Sequence, residues 1–221
     1  MIIKTKGIVL NYIKYKESSI ICKIYTQSHG LQSFIVNGVR KSKNSQLSIY
    51  QPLNKIDLIF YMKKNSTLHR IKESKIYIIY KSLHIEISKI SICFFLSEFL
   101  SKVLSFEEDQ NQKFEFISKS INHFDRIEND FNDFHVKFLI KLSYYYGVGI
   151  SNHKQLTVYD GSDVIISKYI DQCINDDYDI ITKSNNILRN KVINLIIEYY
   201  KNNLDINFNI NSNNVLNEIF K

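Results

Sequence analysis

Near residue 80 the spacing of apolar side chains changes from every second residue to every third or fourth. Up to that point Ile8, Leu10 and Tyr12 alternate with Val9 and Asn11, and Ile20, Cys22 and Ile24 with Ile21, Lys23 and Tyr25. The same alternation runs through Leu31–Val36, through Ile56–Met62, and through a fifth stretch from about Leu68 to Ser74. A period of two with β-branched and aromatic residues is the signature of strands. Gly30, in Ser28-His29-Gly30, and Lys64-Asn65-Ser66 supply turn chemistry between them. Five short antiparallel strands in so few residues are best closed into a small barrel, because closure removes the edges that a flat sheet exposes. A five-stranded OB barrel satisfies the pattern and so does an SH3-like one.

Beyond about Leu83 the period is helical. Ile92, Cys93, Leu96, Phe99, Leu100 and Val103 share one face, and Phe114, Ile117, Ile121 and Phe124 make a second stripe. Phe131, Phe134, Phe138, Leu142, Tyr145 and Tyr146 make a third, with Asp130 placed to cap its start and Gly147 its end. Residues 150–182 break the pattern. They read as an inserted hairpin, Leu156–Tyr159 and Val164–Ile166, turned at Asp160-Gly161. Ser184 is placed to cap a long helix bearing Leu188, Val192, Leu195, Ile196 and Tyr199, and a short helix follows Ser212. The expected fold class is therefore α+β: an N-terminal barrel over residues 1–80, then a mostly α-helical domain over 81–221 with the insertion at 150–182.

Several classes of chemistry find no support. Cys22, Cys93 and Cys173 are an odd, widely spaced set, which suits free thiols in a reducing cytosol better than a disulfide framework. The six glycines form no phosphate loop or dinucleotide fingerprint, and Gly147-Val148-Gly149 follows a helix where such a fingerprint follows a strand. Glu107-Glu108-Asp109 and Asp176-Asp177-Asp179 are dense in carboxylates, but both fall in loops, and a metal-dependent nuclease needs its ligands on fixed elements. The most apolar run, Ile90–Leu104, contains Glu98 and Lys102 and is shorter than the ~20 residues of a membrane span. No signal peptide is recognisable in Met1–Leu10. The expectation is a cytoplasmic protein without catalytic residues, metal or cofactor, and with no membrane partner.

Charge carries the functional signal. Residues 1–90 hold 16 Lys/Arg against 4 Asp/Glu, whereas residues 91–221 hold 13 against 18. Codon bias toward lysine would not respect that division, so the basic first part points to a polyanion. The candidate phosphate contacts are Lys4 and Lys6 on one face of strand one, Lys14 and Lys16 between strands one and two, and Arg40, Lys41 and Lys43 after strand three. Arg70 and Lys72 on strand five complete the set, with Lys75 beside them. Each such cation releases condensed counterions when it neutralises a phosphate. Tyr12, Tyr15, Tyr50 and Tyr61 are interleaved as candidate stacking rings, with Phe34 assigned to the core. No set of side chains suited to reading base edges is present, so binding is expected to be sequence-tolerant.

These segments, taken in order, resemble the RecO family. The resemblance rests on Gly7-Ile8-Val9-Leu10, Tyr15-Lys16-Glu17-Ser18-Ser19, Tyr25–Gly30 with its Thr-x-x-x-Gly hairpin, and Val36–Lys43 with its Gly-x-Arg basic loop. Gln51-Pro52-Leu53, Leu96–Leu100, Phe134–Gly147 and Tyr199-Tyr200-Lys201 extend it along the chain. It implies an OB domain, binding of single- and double-stranded DNA, annealing of complementary strands, and help in loading recombinase in bacterial DNA repair, at the nucleoid. It implies as partners RecR and the C-terminal tail of single-strand-binding protein, for which Lys102, near the end of the first helix, is a candidate contact. Many members carry a four-cysteine zinc site in the insertion. Residues 148–183 here hold only Cys173 and His153, too few for four ligands, so a metal-free insertion is expected. Rival readings are an RNA-binding OB protein, the nuclease already weighed, and a purely structural interaction protein.

Overall fold

The computed structural model describes residues 1–40, 46–63, 66–105, 111–156 and 164–220. Among the described residues five strands, β1 (Ile2–Tyr15), β2 (Ser19–Thr26), β3 (Gly30–Val36), β4 (Lys55–Tyr61) and β5 (Leu68–Ile76), precede six α-helices. These are α1 (Ile87–Val103), α2 (Asn111–Arg126), α3 (Phe134–Ser143), α4 (Val164–Asn175), α5 (Asn186–Leu204) and α6 (Ser212–Ile219). The chain divides into two compact units, residues 1–80 with 93–118, and residues 81–92 with 119–221.

In the first unit the strands close into a barrel in the order β1-β2-β3-β5-β4. Every pairing is antiparallel except the short one between β3 and β5. Val9, Ile20, Cys22, Ile24, Phe34, Val36, Ile56, Leu58 and Phe60 fill the interior, as the alternation requires. Gly7 also faces inward, where a Cβ would come within 2.5 Å of the Ile24 side chain. The alternation is interrupted in β1, where Ile8, Val9 and Leu10 are all fully buried. A bulge between Val9 and Asn11 is one cause, and the strands beside β1 carry further cover on the outside of the barrel. Tyr25 packs on Phe114 with ring centroids 5.7 Å apart, and the Leu31 amide donates to the Ser105 carbonyl.

A second irregularity shapes β5. Phe60 pairs with Ile71, yet Ile59 pairs with Glu73, so Lys72 is an extra residue. His69, Ile71, Ser74 and Ile76 keep to the inner side or its margin, while Arg70, Lys72, Glu73 and Lys75 are all exposed. The bulge thus turns two neighbouring charged residues outward without displacing the apolar positions on either side.

The second unit is built on α3, in which every residue but Lys141 is buried. Phe124 stacks on Phe134 at 4.2 Å, and the Tyr200 hydroxyl donates to the Leu139 carbonyl at 2.8 Å. Two lysines that sequence reading would assign to the surface are interior. Lys89 Nζ donates to Ser82 Oγ and to the carbonyls of Asp125 and Ile127 at the end of α2. Lys137 Nζ donates to the carbonyls of Asp177 and Ile180. Each supplies N–H donors to carbonyls that a helix end or loop leaves without intrahelical partners.

The insertion departs from expectation. Val164–Ile166 is the first turn of α4 and forms no strand, because the apolar positions continue as Ile166, Tyr169, Ile170 and Cys173, spaced three, one and three, and the last three are buried. A β-branched triplet alone resembled a strand. On the other side, Leu156 closes a 3-10 turn over His153–Gln155. Thr157–Asp163, including the Asp160-Gly161 turn, lie outside the described residues. Two caps also shift. Asn185, not Ser184, caps α5 by accepting from the Leu188 amide. Asp130 makes no side-chain cap; it stands in the left-handed region before a 3-10 turn, and Asp133 precedes α3. Gly147, at φ 72°, ends the third helical segment as expected. Tyr145 falls off the buried face because the chain tightens to 3-10 over Tyr144–Tyr146.

Candidate nucleic-acid interface

On the outer face of the barrel the strand register aligns side chains in rows. Lys6, Asp57 and Lys75 are partners across β1, β4 and β5, and Ile2, Tyr61 and Arg70 form a parallel row. Lys4 lies opposite Ile59, which in turn faces Glu73 beside the bulged Lys72. At one end this face is covered: Lys55 is fully buried and donates from Nζ to the Ser118 carbonyl and Oγ, each at 2.9 Å. Burial brings the Lys55 ammonium down to about 8, with Lys6 adding to the effect and Glu115 opposing it. At the other end the face opens into a groove of about 640 Å³. Its charged lining is Lys4, Arg70, Lys72 and Lys75 with the carboxylates Asp57 and Glu73, and Asn37, Gln46 and Tyr50 also contribute.

Two of the four cations meet carboxylates at long range: Lys72 lies 3.8 Å from Glu73 and Lys75 lies 3.7 Å from Asp57. Such exposed pairs are weak and exchange readily. Lys4 and Arg70 enter no ion pair among the described residues. Arg70 is held instead by an amide. With its oxygen turned toward the guanidinium, Asn37 accepts from Arg70 Nε at 3.2 Å and Nη2 at 3.3 Å while its own NH2 donates to Ser19 Oγ.

Hydrogen bonds continue this chain to the other predicted cations. The Arg40 amide donates to the Ser18 carbonyl, and Arg40 Nη1 donates to the Lys16 carbonyl at 3.1 Å. Lys16 adopts φ 51° at the turn after β1, and its ammonium lies 5.4 Å from the centre of the Tyr15 ring. Lys14 is on β1 itself, opposite Ile20, because the strand runs to Tyr15; it is exposed. Lys6 does not line the groove; its ammonium sits 5.1 Å over the Tyr77 ring. Lys102 occupies the last turn of α1, exposed, and does not line the groove either. Lys41 and Lys43 lie outside the described residues.

The aromatic candidates divide. Phe34 is core, as expected. Tyr50 is core as well, with its hydroxyl 2.7 Å from Ser74 Oγ, so it is no stacking ring. Tyr12 and Tyr61 remain exposed, and Tyr61 stands beside Arg70 on the neighbouring strand. Asn37 was missed in the sequence because nothing in a lone Asn-Gly marks it as an arginine partner. The two groove carboxylates were missed because strand register, which sequence leaves open, decides their neighbours.

Cys173 is fully buried, and burial pushes its thiol up to about 12. His153 is engaged by Asp171, Nδ1 to Oδ2 at 2.8 Å. Among the described residues no group of three His, Cys, Asp or Glu side chains could hold a metal ion. In the same residues no helix is long and apolar enough to cross a membrane.

The comparisons with known proteins agree with this architecture. The family model described as the recombination protein O N-terminal domain matches residues 1–80. The DNA repair protein RecO of Christiangramia forsetii is 30% identical over 242 aligned positions that take in 100% of both chains. The proteins of the same name from Phocaeicola vulgatus and Flavobacterium psychrophilum are 35% and 36% identical over 149 positions, covering 67% and 66% of this chain and 62% of each of theirs. With a closed N-terminal barrel followed by helices, a matching N-terminal domain and a relative aligned from end to end, this chain belongs to the RecO family.

Proposed function

We propose that this chain is a non-enzymatic DNA-binding mediator of recombinational repair in the bacterial cytoplasm, acting at the nucleoid. The observation that carries the reading is the set of cations lining one groove of the barrel, Lys4, Arg70, Lys72 and Lys75, with the exposed Tyr61 paired beside Arg70; Lys16 and Arg40, joined by a hydrogen bond, are further contacts in this reading. Phosphates of single- or double-stranded DNA neutralise these groups and release counterions, while Tyr61 offers a face to an unpaired base. Annealing needs no bond-making residue: cations screen the repulsion between two phosphate backbones, and base pairing supplies the free energy. In this reading the protein helps load recombinase onto single strands coated by single-strand-binding protein. It joins RecR and receives the acidic C-terminal tail of the coating protein near Lys102. Lys6 and Lys14, both exposed on β1, extend the basic surface in the same reading, and Lys41 and Lys43, outside the described residues, are further phosphate contacts in it.

The test is strand annealing on complementary DNA coated with single-strand-binding protein, comparing the native protein with a Lys4→Gln/Arg70→Gln double variant. The variant is expected to anneal more slowly. It should also lower the log–log salt slope of single-strand binding by about 1.4, roughly 0.7 per lost phosphate contact. Annealing and slope identical to the native protein would refute the reading. Tighter binding of a matched RNA strand would redirect it toward RNA.

A further inference from the structure

We infer that Asn37 is a positioning residue that holds the Arg70 guanidinium ready for phosphate; this rests on the DNA-binding reading of the groove. Arg70 is exposed on β5, next to a strand bulge, where a long side chain would ordinarily sample many rotamers. Its neighbour across the parallel pairing is Ile35, and Asn37 stands two residues further along, beyond the end of β3. Gly38 follows with φ 75°, a conformation that an L side chain rarely adopts, and returns the chain so that Val39 enters the core. The amide is therefore anchored on both sides. With the amide oriented so that both its ends find complementary partners, its NH2 donates to Ser19 Oγ at 3.2 Å and its oxygen accepts from Nε and Nη2 of Arg70.

This arrangement occupies one edge of the planar guanidinium and fixes its orientation. The N–H groups of Nη1, and the second N–H of Nη2, remain for a ligand, and their fork matches two phosphate oxygens. Unlike the carboxylates beside Lys72 and Lys75, a neutral amide orders the cation without neutralising it. Ordering a side chain before binding reduces the entropy lost on association. The same chemistry distinguishes Asn37 from a merely structural side chain, because its contribution exists only while Arg70 is present.

The experiment is a double-mutant cycle read by fluorescence anisotropy with an unstructured single-stranded oligonucleotide over a salt series. The four proteins are native, Asn37→Ala, Arg70→Ala and the double variant, with an Asn37→Asp variant alongside. Arg70→Ala is expected to weaken binding and lower the salt slope. Asn37→Ala is expected to weaken binding roughly two- to tenfold with an unchanged slope, and to add nothing once Arg70 is absent. Asn37→Asp is expected to lower the slope by about one contact, because a carboxylate there neutralises Arg70. In the DNA-free protein the Arg70 Nε–H should exchange slowly with solvent, and faster in Asn37→Ala. Equal losses from Asn37→Ala in both backgrounds, no loss in either, or unaltered exchange overturns the inference. If the exchange result holds but Arg70→Ala binds DNA normally, the DNA-binding reading fails while the Asn37–Arg70 pairing stands.

Discussion

Removing negative charge from the groove should tighten DNA binding. Asp57 and Glu73 lie 3.7 and 3.8 Å from Lys75 and Lys72, so in the free protein these two ammonium groups are partly engaged by carboxylates. A phosphate that reaches either lysine displaces a protein carboxylate and fewer counterions than the cation count implies. In Asp57→Asn/Glu73→Gln both lysines become free. Each added phosphate contact steepens the salt slope by about 0.7 for single strands. Taking 1 M salt as the reference, at ~0.1 M a full added contact corresponds to roughly fivefold in affinity, about 1 kcal/mol, so with partial engagement the pair gains at most ~25-fold. Anisotropy titrations across a salt series would show the two binding curves converging as salt approaches the reference. By the same reasoning Lys75→Gln should cost the native protein less affinity than Lys4→Gln, because Lys4 has no carboxylate partner among the described residues. A slope that stays the same in the double variant, or an affinity that falls, would refute the idea that these carboxylates compete with DNA.

Three further outcomes concern the framework. Lys89→Met should destabilise the protein by about 2–4 kcal/mol in urea unfolding, because it removes the ammonium that donates to Ser82 Oγ and the Ile127 carbonyl, and leaves the Asp125 carbonyl with Ser82 Oγ as its side-chain donor. Gly7→Ala should cost about 1–3 kcal/mol, since the new methyl meets the packed Ile24 at 2.5 Å; full native stability would show that the barrel interior yields more easily than its packing implies. Lys55 gives a pH signature. Its folded value, about 8, lies below the ordinary 10.5, so between those values the unfolded chain binds more protons and stability rises with pH. From pH 8 to pH 10 the gain is up to ~2 kcal/mol, and Lys55→Met should remove it. Above pH 10 buried tyrosines such as Tyr25, whose hydroxyls are pushed up by burial, reverse the trend as unfolded tyrosine ionises.

The barrel was legible in the sequence because its strands bury one face, and alternation survives wherever that holds: Cys22, Ile24, Phe34, Leu58 and Phe60 all point inward as the pattern required. It failed at Ile8–Leu10, where both faces are covered and a bulge intervenes. It failed again at Val164–Ile166, where three β-branched residues obscured the helical spacing that continues to Cys173. Of the proposed phosphate contacts, Lys4, Arg70 and Lys72 meet in one groove although distant in the chain, because β1, β4 and β5 are neighbours. A lysine on the groove and one sealed in the interior look alike in sequence. Lys55, Lys89 and Lys137 show that burial is decided by which carbonyl lies within reach, and that is a property of tertiary structure.

The additional residue lodged in the fifth strand separates two evolutionary demands that a regular pleat would tie together. In an uninterrupted strand, each new outward group requires another inward one, and the interior has no vacancy for it. Excision of Lys72 would leave Ile71, Glu73, Ser74, Lys75 and Ile76 in perfect alternation with their β4 partners. This locus can therefore gain or lose a charge over generations while the hydrophobic packing beneath it stays the same, which makes the groove's electrostatics adjustable by single-codon insertion or deletion.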